Sequence, residues 1–218
     1  LYDAGPRSRS GYDAGAAIVV PALRALGVDQ LDQLIISHGD ADHAGGLVSL
    51  QRHTKIDTVI NPDHADCRDQ RSFNIDGVNF KLLSWRAGLN PNNRSCLLQI
   101  LGPGFSLLLP GDIELDAELA LLNRLEGPVD WLMVPHHGSR TSSSPALLNH
   151  LMPAWAILTT GFNNPFNHPH PEIVDRYENR GARLLSTAEH GALTFKADAQ
   201  GLHLLSSARQ QHPRFWSD

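Results

Sequence analysis

Apolar and polar positions divide the 218-residue chain into short elements. Residues 1–15 read as a strand end followed by a Gly/Arg/Ser loop. Over 16–26, apolar residues recur at helical spacing (Ile18, Val19, Ala22, Leu23, Leu26), and Pro21 either splits the segment or sets the helix start. Gly27 fits the end of that helix. The spacing then predicts a buried strand at 34–37, a helix at 44–52 and a strand at 57–60. Asp76-Gly77 between two alternating runs predicts a hairpin over 73–82. A second hairpin is predicted from 96–101 and 105–109 around Gly102-Pro103-Gly104. A helix follows at 114–125, with Leu115, Leu119, Leu122 and Leu125 as its core stripe. Strands are expected at 131–134, 155–158, 182–186, 191–195 and 202–205, with helices at 145–151 and 172–179. Strands and helices alternate around central hairpins, which predicts a layered α/β architecture of packed sheets with helices outside.

Composition narrows the class. A hydrophobic share of 41% and a charged share of 19% are those of a globular chain. No apolar run approaches the roughly 20 residues that cross a bilayer. The net charge of −5 argues against a broad cationic surface for nucleic acid, but not against a phosphate substrate where bound divalent ions reverse the local sign. Histidine is abundant at 12 residues, whereas lysine is confined to Lys55, Lys81 and Lys196. Cys67 and Cys96 have no CxxC spacing, and spacing alone leaves two buried thiols and one disulfide equally open.

The candidate chemistry lies where apolar strands stop. His38-Gly39-Asp40-Ala41-Asp42-His43 follows the 34–37 strand at once and ends in Gly45-Gly46, which permits close backbone approach. Alternate residues of such a turn point the same way, so His38 and Asp40 suit one metal, and Asp42 and His43 a second. Two divalent ions roughly 3.5–4 Å apart clamp the attacking and leaving oxygens of a phosphodiester. Asp112 ends a later strand and is read as a further ligand. His136-His137-Gly138-Ser139 ends another. Two adjacent histidines cannot both face inward in regular geometry, so one is expected to bind metal or substrate and the other to orient it or act as acid. His136 is assigned to metal; Asp42, His137, Ser139 and His168 are assigned to catalysis. Asn92, Arg94, Ser95 and His170 are assigned to substrate contacts, Arg94 toward a phosphate. Asp3, at the first strand end, is read as an orienting group behind the ligands. His53, His64, His150, His190, His203 and His212 are read as ordinary histidines. In an open α/β sheet, strand ends of this kind are expected to converge on one cleft.

These stretches resemble the metallo-β-lactamase superfamily, whose motif is His-x-His-x-Asp-His; here Asp40 stands in place of the second histidine. "SHGDADHAGG" at 37–46, "NNRSC" at 92–96, "LLLPGDIE" at 107–114, "VPHHGSRTSSS" at 134–144 and "HP" at 168–169 resemble the metallo-β-lactamase-like domain of ComEC-type competence proteins. The resemblance implies an αββα sandwich over 1–207, with 208–218 a polar tail and the first strand or strands missing from the fragment. It implies a nuclease that degrades the non-imported DNA strand beside a polytopic inner-membrane channel, on its periplasmic or extracellular face, with single-stranded DNA and the rest of the channel protein as partners. On this resemblance His38, Asp40, Asp42, His43, Asp112 and one of His136 and His137 carry two divalent ions, and a Cys67–Cys96 disulfide becomes plausible. A superfamily histidine expected between the first cluster and Asp112 is replaced by the region of Asn92 and Ser95. The oxygen-richer set favours Mn²⁺ or Mg²⁺ relative to Zn²⁺.

Overall fold

Tyr2 pairs in parallel with Ile35, so the chain enters directly onto the edge of a strand. The computed structural model describes residues 1–68 and 70–211. The chain divides into two compact units, residues 1–71 with 82–97, and residues 72–81 with 98–218.

In the first unit, β1 (Gln30–Ile35) and β2 (Lys55–Ile60) form a parallel pair, with Leu34 opposite Val59. Both strands begin earlier than their apolar runs, because their first residues lie at the exposed end of the pair. The segment at 16–26 is indeed two pieces: a π-helical turn, Gly15–Val19, then an α-helix, Val20–Ala25, with Pro21 in its first turn where no N–H is required. The expected helix at 44–52 is also two, Ala41–Ala44 and Leu47–His53. Ala4, Val20, Leu23, Leu31, Leu34, Ile36 and Leu50 form the core. At roughly 1.5–3 kcal/mol for each fully buried aliphatic side chain, this cluster anchors the end of β1 from which the ligand loop departs. Cys67 and Cys96, both fully buried, are joined in a disulfide. It ties the helical turn Ala65–Arg68 to the residue before the strand Leu97–Gly102.

The second unit carries a seven-stranded sheet in the order β3-β4-β5-β6-β7-β8-β9; only residues 82–83 of β4 and 97 of β5 are grouped with the first unit. The strands are β3 (Ser72–Ile75), β4 (Val78–Leu83), β5 (Leu97–Gly102), β6 (Phe105–Leu109), β7 (Trp131–Met133), β8 (Trp155–Leu158) and β9 (Arg183–Ser186). Both expected hairpins form: β3–β4 and β5–β6 are antiparallel, and Asp76 and Gly77 take φ of 50° and 83°. From β6 to β9 all pairings are parallel, so the loops after β6, β7 and β8 leave the same edge. A separate hairpin, β10 (Leu193–Asp198) with β11 (Gly201–Ser207), sets Phe195 edge-on to Trp131 and Trp155.

Of the expected core stripe of the 114–125 segment, Leu125 is buried, but the two leucines on the helix itself are out of phase. The helix runs Leu115–Leu121, and Leu115 and Leu119 are about half exposed (48% and 50%). The buried face is Ala117, Glu118 and Leu121, packed on the helix Pro145–Leu151. Its rotation follows Glu118, whose carboxylate is fixed from inside the unit by backbone N–H groups. Of the polar tail expected at 208–218, Ala208–Gln211 forms a helical turn, and residues 212–218, His212 among them, lie outside the described residues. No helix among the described residues is long and apolar enough to cross a membrane.

Candidate metal centre

The first unit builds its share of the site at the end of β1. His38 and His43 are buried, with ring centroids 4.2 Å apart, while Asp40 and Asp42 stand on the exposed side of the same loop. Asp3 holds the cluster from behind. One carboxylate oxygen accepts from Ser37 N–H at 2.7 Å; the other lies 3.0 Å from the Ser37 hydroxyl and 2.8 Å from His43 Nδ1. Nδ1–H of His43 donates to Asp3 in that arrangement, which presents Nε2 as the ligand nitrogen, 3.8 Å from Asp42 Oδ2. His38 Nε2 lies 3.6 Å from Asp40 Oδ2, and its Nδ1 3.1 Å from the Ser37 hydroxyl.

The close approach expected of Gly45-Gly46 is real. A Cβ on Gly46 would stand 2.7–2.8 Å from the Gly15 backbone, and Gly46 N–H donates to Gly5 O.

The second unit builds its share on the loops after β6, β7 and β8. Asp112 is buried, and its Oδ2 lies 3.8 Å from His136 Nε2 and 3.7 Å from His137 Nε2. Both adjacent histidines therefore face the same carboxylate, contrary to the expectation that only one could. The reason is backbone: His136 and His137 take φ of 49° and 53°, the left-handed region that non-glycine residues seldom occupy. Such strain, of order 1–3 kcal/mol per residue, persists only where surroundings enforce it. His136 N–H donates to Gly111 O, and Ser142 Oγ donates to Pro135 O. His137 is also held at its other nitrogen, Nδ1 lying 2.9 Å from Thr159 O, and Glu114 Oε1 stands 3.3 Å from His136 Nδ1 without hydrogen-bond geometry. Thr159 and Glu114 were not singled out from the sequence. Glu114 closes the quoted LLLPGDIE run and Thr159 the strand end at 158, which were the available signals.

His168 reaches this group, its ring 5.9 Å from that of His136. Partial burial, then the neighbouring His136 and His137, hold its pKa below the usual imidazole value.

Other assigned residues also make structural contacts. His170 caps the helix Pro171–Glu178, its Nδ1 accepting from Glu172 N–H. Ser139 is buried and hydrogen-bonds the Thr141 hydroxyl at 3.0 Å. Ser95 is fully buried and donates to Asn92 O, and the Asn92 N–H donates to Asn90 Oδ1. Arg94 keeps an accessible guanidinium, 3.5 Å from Asp63. Of the histidines read as ordinary, His64 and His190 bond nearby backbone, and His150 Nε2 lies 2.9 Å from Leu125 O.

The donor chemistry fits a divalent cation. Imidazole Nε2 atoms with fixed tautomers beside carboxylates are what Zn²⁺, Mn²⁺ and related ions take.

Comparison with known proteins agrees with this chemistry. Residues 1–66 match the family model of the metallo-beta-lactamase superfamily. A solved metal-dependent hydrolase of the beta-lactamase superfamily aligns with a TM-score of 0.52, at 14% identity, over 85% of this chain and 84% of its own. The fold is thus of metallo-β-lactamase type. Within that class the chain is a relative of competence proteins. It is 35% identical to competence protein ComA of Neisseria gonorrhoeae over 81% of this chain and 27% of that protein. It is 28% identical to ComE operon protein 3 of Bacillus subtilis over 85% of this chain and 27% of that protein. The chain therefore spans about a quarter of the length of these relatives.

Proposed function

We propose that this chain is the hydrolytic domain of a competence protein: a metal-dependent nuclease that cleaves phosphodiester bonds of the DNA strand that is not imported. The observation that carries the reading is the recurrence, in each unit, of an imidazole held at Nδ1 by a fixed acceptor with Nε2 turned to a carboxylate: Asp3–His43–Asp42 in one, Thr159–His137–Asp112 in the other. In the first unit Asp42 and His43, with His38 and Asp40 beside them, are the metal donors; in the second unit they are Asp112 and His137, with His136. A divalent ion acts as a Lewis acid on phosphoryl oxygen and water. Of this chain's own groups, His168 stands beside His136 as a neutral imidazole that can take a proton from the attacking water, and Arg94 supplies a cation for substrate phosphate. Asp40 in the histidine position favours Mn²⁺ over Zn²⁺. The Cys67–Cys96 disulfide suits an oxidising, periplasmic or extracellular face of an inner-membrane protein.

The test is a matrix of metals against substrates: Mn²⁺, Mg²⁺, Zn²⁺ or chelator, with single-stranded DNA, duplex DNA and small phosphodiesters. Mn²⁺-dependent cleavage of single-stranded DNA is expected. The net charge of −5 supports a second reading, hydrolysis of a small phosphodiester, which wins if only the small substrates turn over. Metal binding without turnover of any substrate would make the chain a non-catalytic module.

A further inference from the structure

We propose that a pocket in the first unit, beside His38, is a nucleobase subsite with a phosphate seat at its mouth, so that the strand is held by one base next to the metal-ligand loop. The inference rests on the reading of the chain as a DNA hydrolase and names how that substrate is gripped. The pocket has a volume of about 320 Å³, at the small end of the 300–1,000 Å³ typical of ligand sites. It suits one nucleoside better than a run of nucleotides.

Its floor is apolar: Ile36 past the end of β1, Val59 on β2 and Leu47 at the start of the helix Leu47–His53. Its rim is polar and one-sided. Asn61 Oδ1 accepts from Asp63 and His64 N–H at 3.0 and 3.1 Å, which fixes the amide and leaves its NH₂ as the group offered to a ligand. Arg94 Nε is buried and has no hydrogen-bond partner among the described residues. At the mouth, one oxygen of Asp63 serves two guanidiniums, Arg86 at 3.0 Å and Arg94 at 3.5 Å. Two cations on one carboxylate leave an excess positive charge at the rim of an otherwise acidic chain.

An apolar slot takes the faces of a heterocycle, the Asn61 amide can donate to a ring carbonyl or ring nitrogen, and an incoming phosphate can displace the long Arg94–Asp63 contact. A lipid tail would not use this rim, and a sugar would not use this floor. His38 lines the same pocket, so an occupying base lies beside the proposed centre and not on a remote surface.

The experiment uses the full chain in chelator, so no cleavage is needed. Binding of a fluorescent thymidine 12-mer is compared with a 12-mer of equal length carrying abasic sugars, for the unchanged chain and for Val59→Phe, which fills the floor. The base-containing strand should bind the unchanged chain about 10-fold tighter than the abasic strand, the scale of one engaged base. Val59→Phe should abolish that difference while leaving abasic binding unchanged. Equal affinity for the two strands, or an unaltered difference in Val59→Phe, overturns the proposal. Should Val59→Phe not fold, a 5-iodouracil strand photocrosslinked to the unchanged chain decides: adducts within residues 59–63 or 91–94 support the subsite, and adducts only elsewhere overturn it. Thymidine monophosphate binding as tightly as the 12-mer overturns a strand as the occupant. Crosslinking at the pocket without cleavage in any metal would sink the nuclease and spare the subsite; cleavage with adducts elsewhere would do the reverse.

Discussion

The Asp3 carboxylate lies 2.8 Å from Nδ1 of His43, and its other oxygen accepts from Ser37 N–H. The two contacts fix which end of Asp3 faces the ring, and so which nitrogen of the ring carries the proton. Asp3 sits at φ 58°, a conformation that asparagine tolerates, so Asp3→Asn tests the charge without straining the backbone. The amide oxygen keeps Ser37 N–H, and the NH₂ group then faces Nδ1. That forces the proton onto Nε2, where a metal ligand cannot carry it. Metal affinity should fall about 10–100-fold, measured by calorimetry or chelator competition. Unchanged affinity in a folded variant would remove Asp3 from the ligand-orienting role.

Asp40 is the one position in the first cluster where an oxygen donor replaces a nitrogen. Asp40→His should move relative affinity from Mn²⁺ toward Zn²⁺, because imidazole is the better donor for the softer ion. Competition between the two metals in both variants measures the shift. An unaltered ratio would show that Asp40 does not touch metal.

What could be read from the sequence was what is encoded locally. Asp76-Gly77 fixes a turn by its own φ preferences, and the His38–His43 loop carries its donors within one short run. The backbone of His136 and His137 was not legible, because its left-handed conformation is held by a bond to Gly111, 25 residues earlier, together with the Ser142 bond to Pro135. Glu118 was equally hidden. A glutamate within a leucine-rich helix reads as surface until the N–H groups that bury it, 25 and 26 residues on, are in place. The cap made by His170 and the turn bond of Ser139 were hidden for a related reason: cap and turn residues are chemically the same as catalytic ones, and their structural partners appear only once the chain is folded.

Gly46→Ala should be severely destabilising. Its Cβ would meet backbone of Gly15, which cannot yield as a flexible side chain would. A loss of about 3 kcal/mol is expected, at the upper end of overpacking costs, read from urea unfolding. A loss below about 1 kcal/mol would mean that the loop holding His43 is not tightly seated.

The Cys67–Cys96 bond closes a separation of 29 residues, for which chain entropy gives about 3.5 kcal/mol. Under denaturing, non-reducing conditions no free thiol should titrate, and reduction should lower stability by about that amount. Two thiols titrating without reductant would exclude the bond.

Glu118 gives the last prediction. Its carboxylate accepts from Ser143 N–H at 2.6 Å and Ser144 N–H at 2.8 Å; Ser143 Oγ pairs with the Tyr177 hydroxyl, and Arg176 donates to the carbonyls of Ser142 and Ser143. The loop that follows His136-His137 is thereby fixed from within. Burial pushes the Glu118 pKa up, against the lowering effect of those hydrogen bonds. A raised folded value means that the native state holds the proton more firmly than the unfolded chain. The slope of stability with pH is then negative from about pH 4.5, the unfolded value, up to the folded one. Glu118→Gln removes this titration and sets an NH₂ group against one of the two N–H donors. Stability near neutral pH should fall by about 2 kcal/mol through that unmet donor. The gap between the two proteins should widen as pH is lowered toward 4.5, where the unchanged chain recovers stability and the glutamine variant does not. Urea unfolding of both proteins between pH 4.5 and 7.5 reads the gap directly, and the shared titration of the surface carboxylates cancels in the difference. A gap that is constant or narrows toward acid would show that Glu118 is not raised, and that the loop is held by a carboxylate that stays ionised throughout.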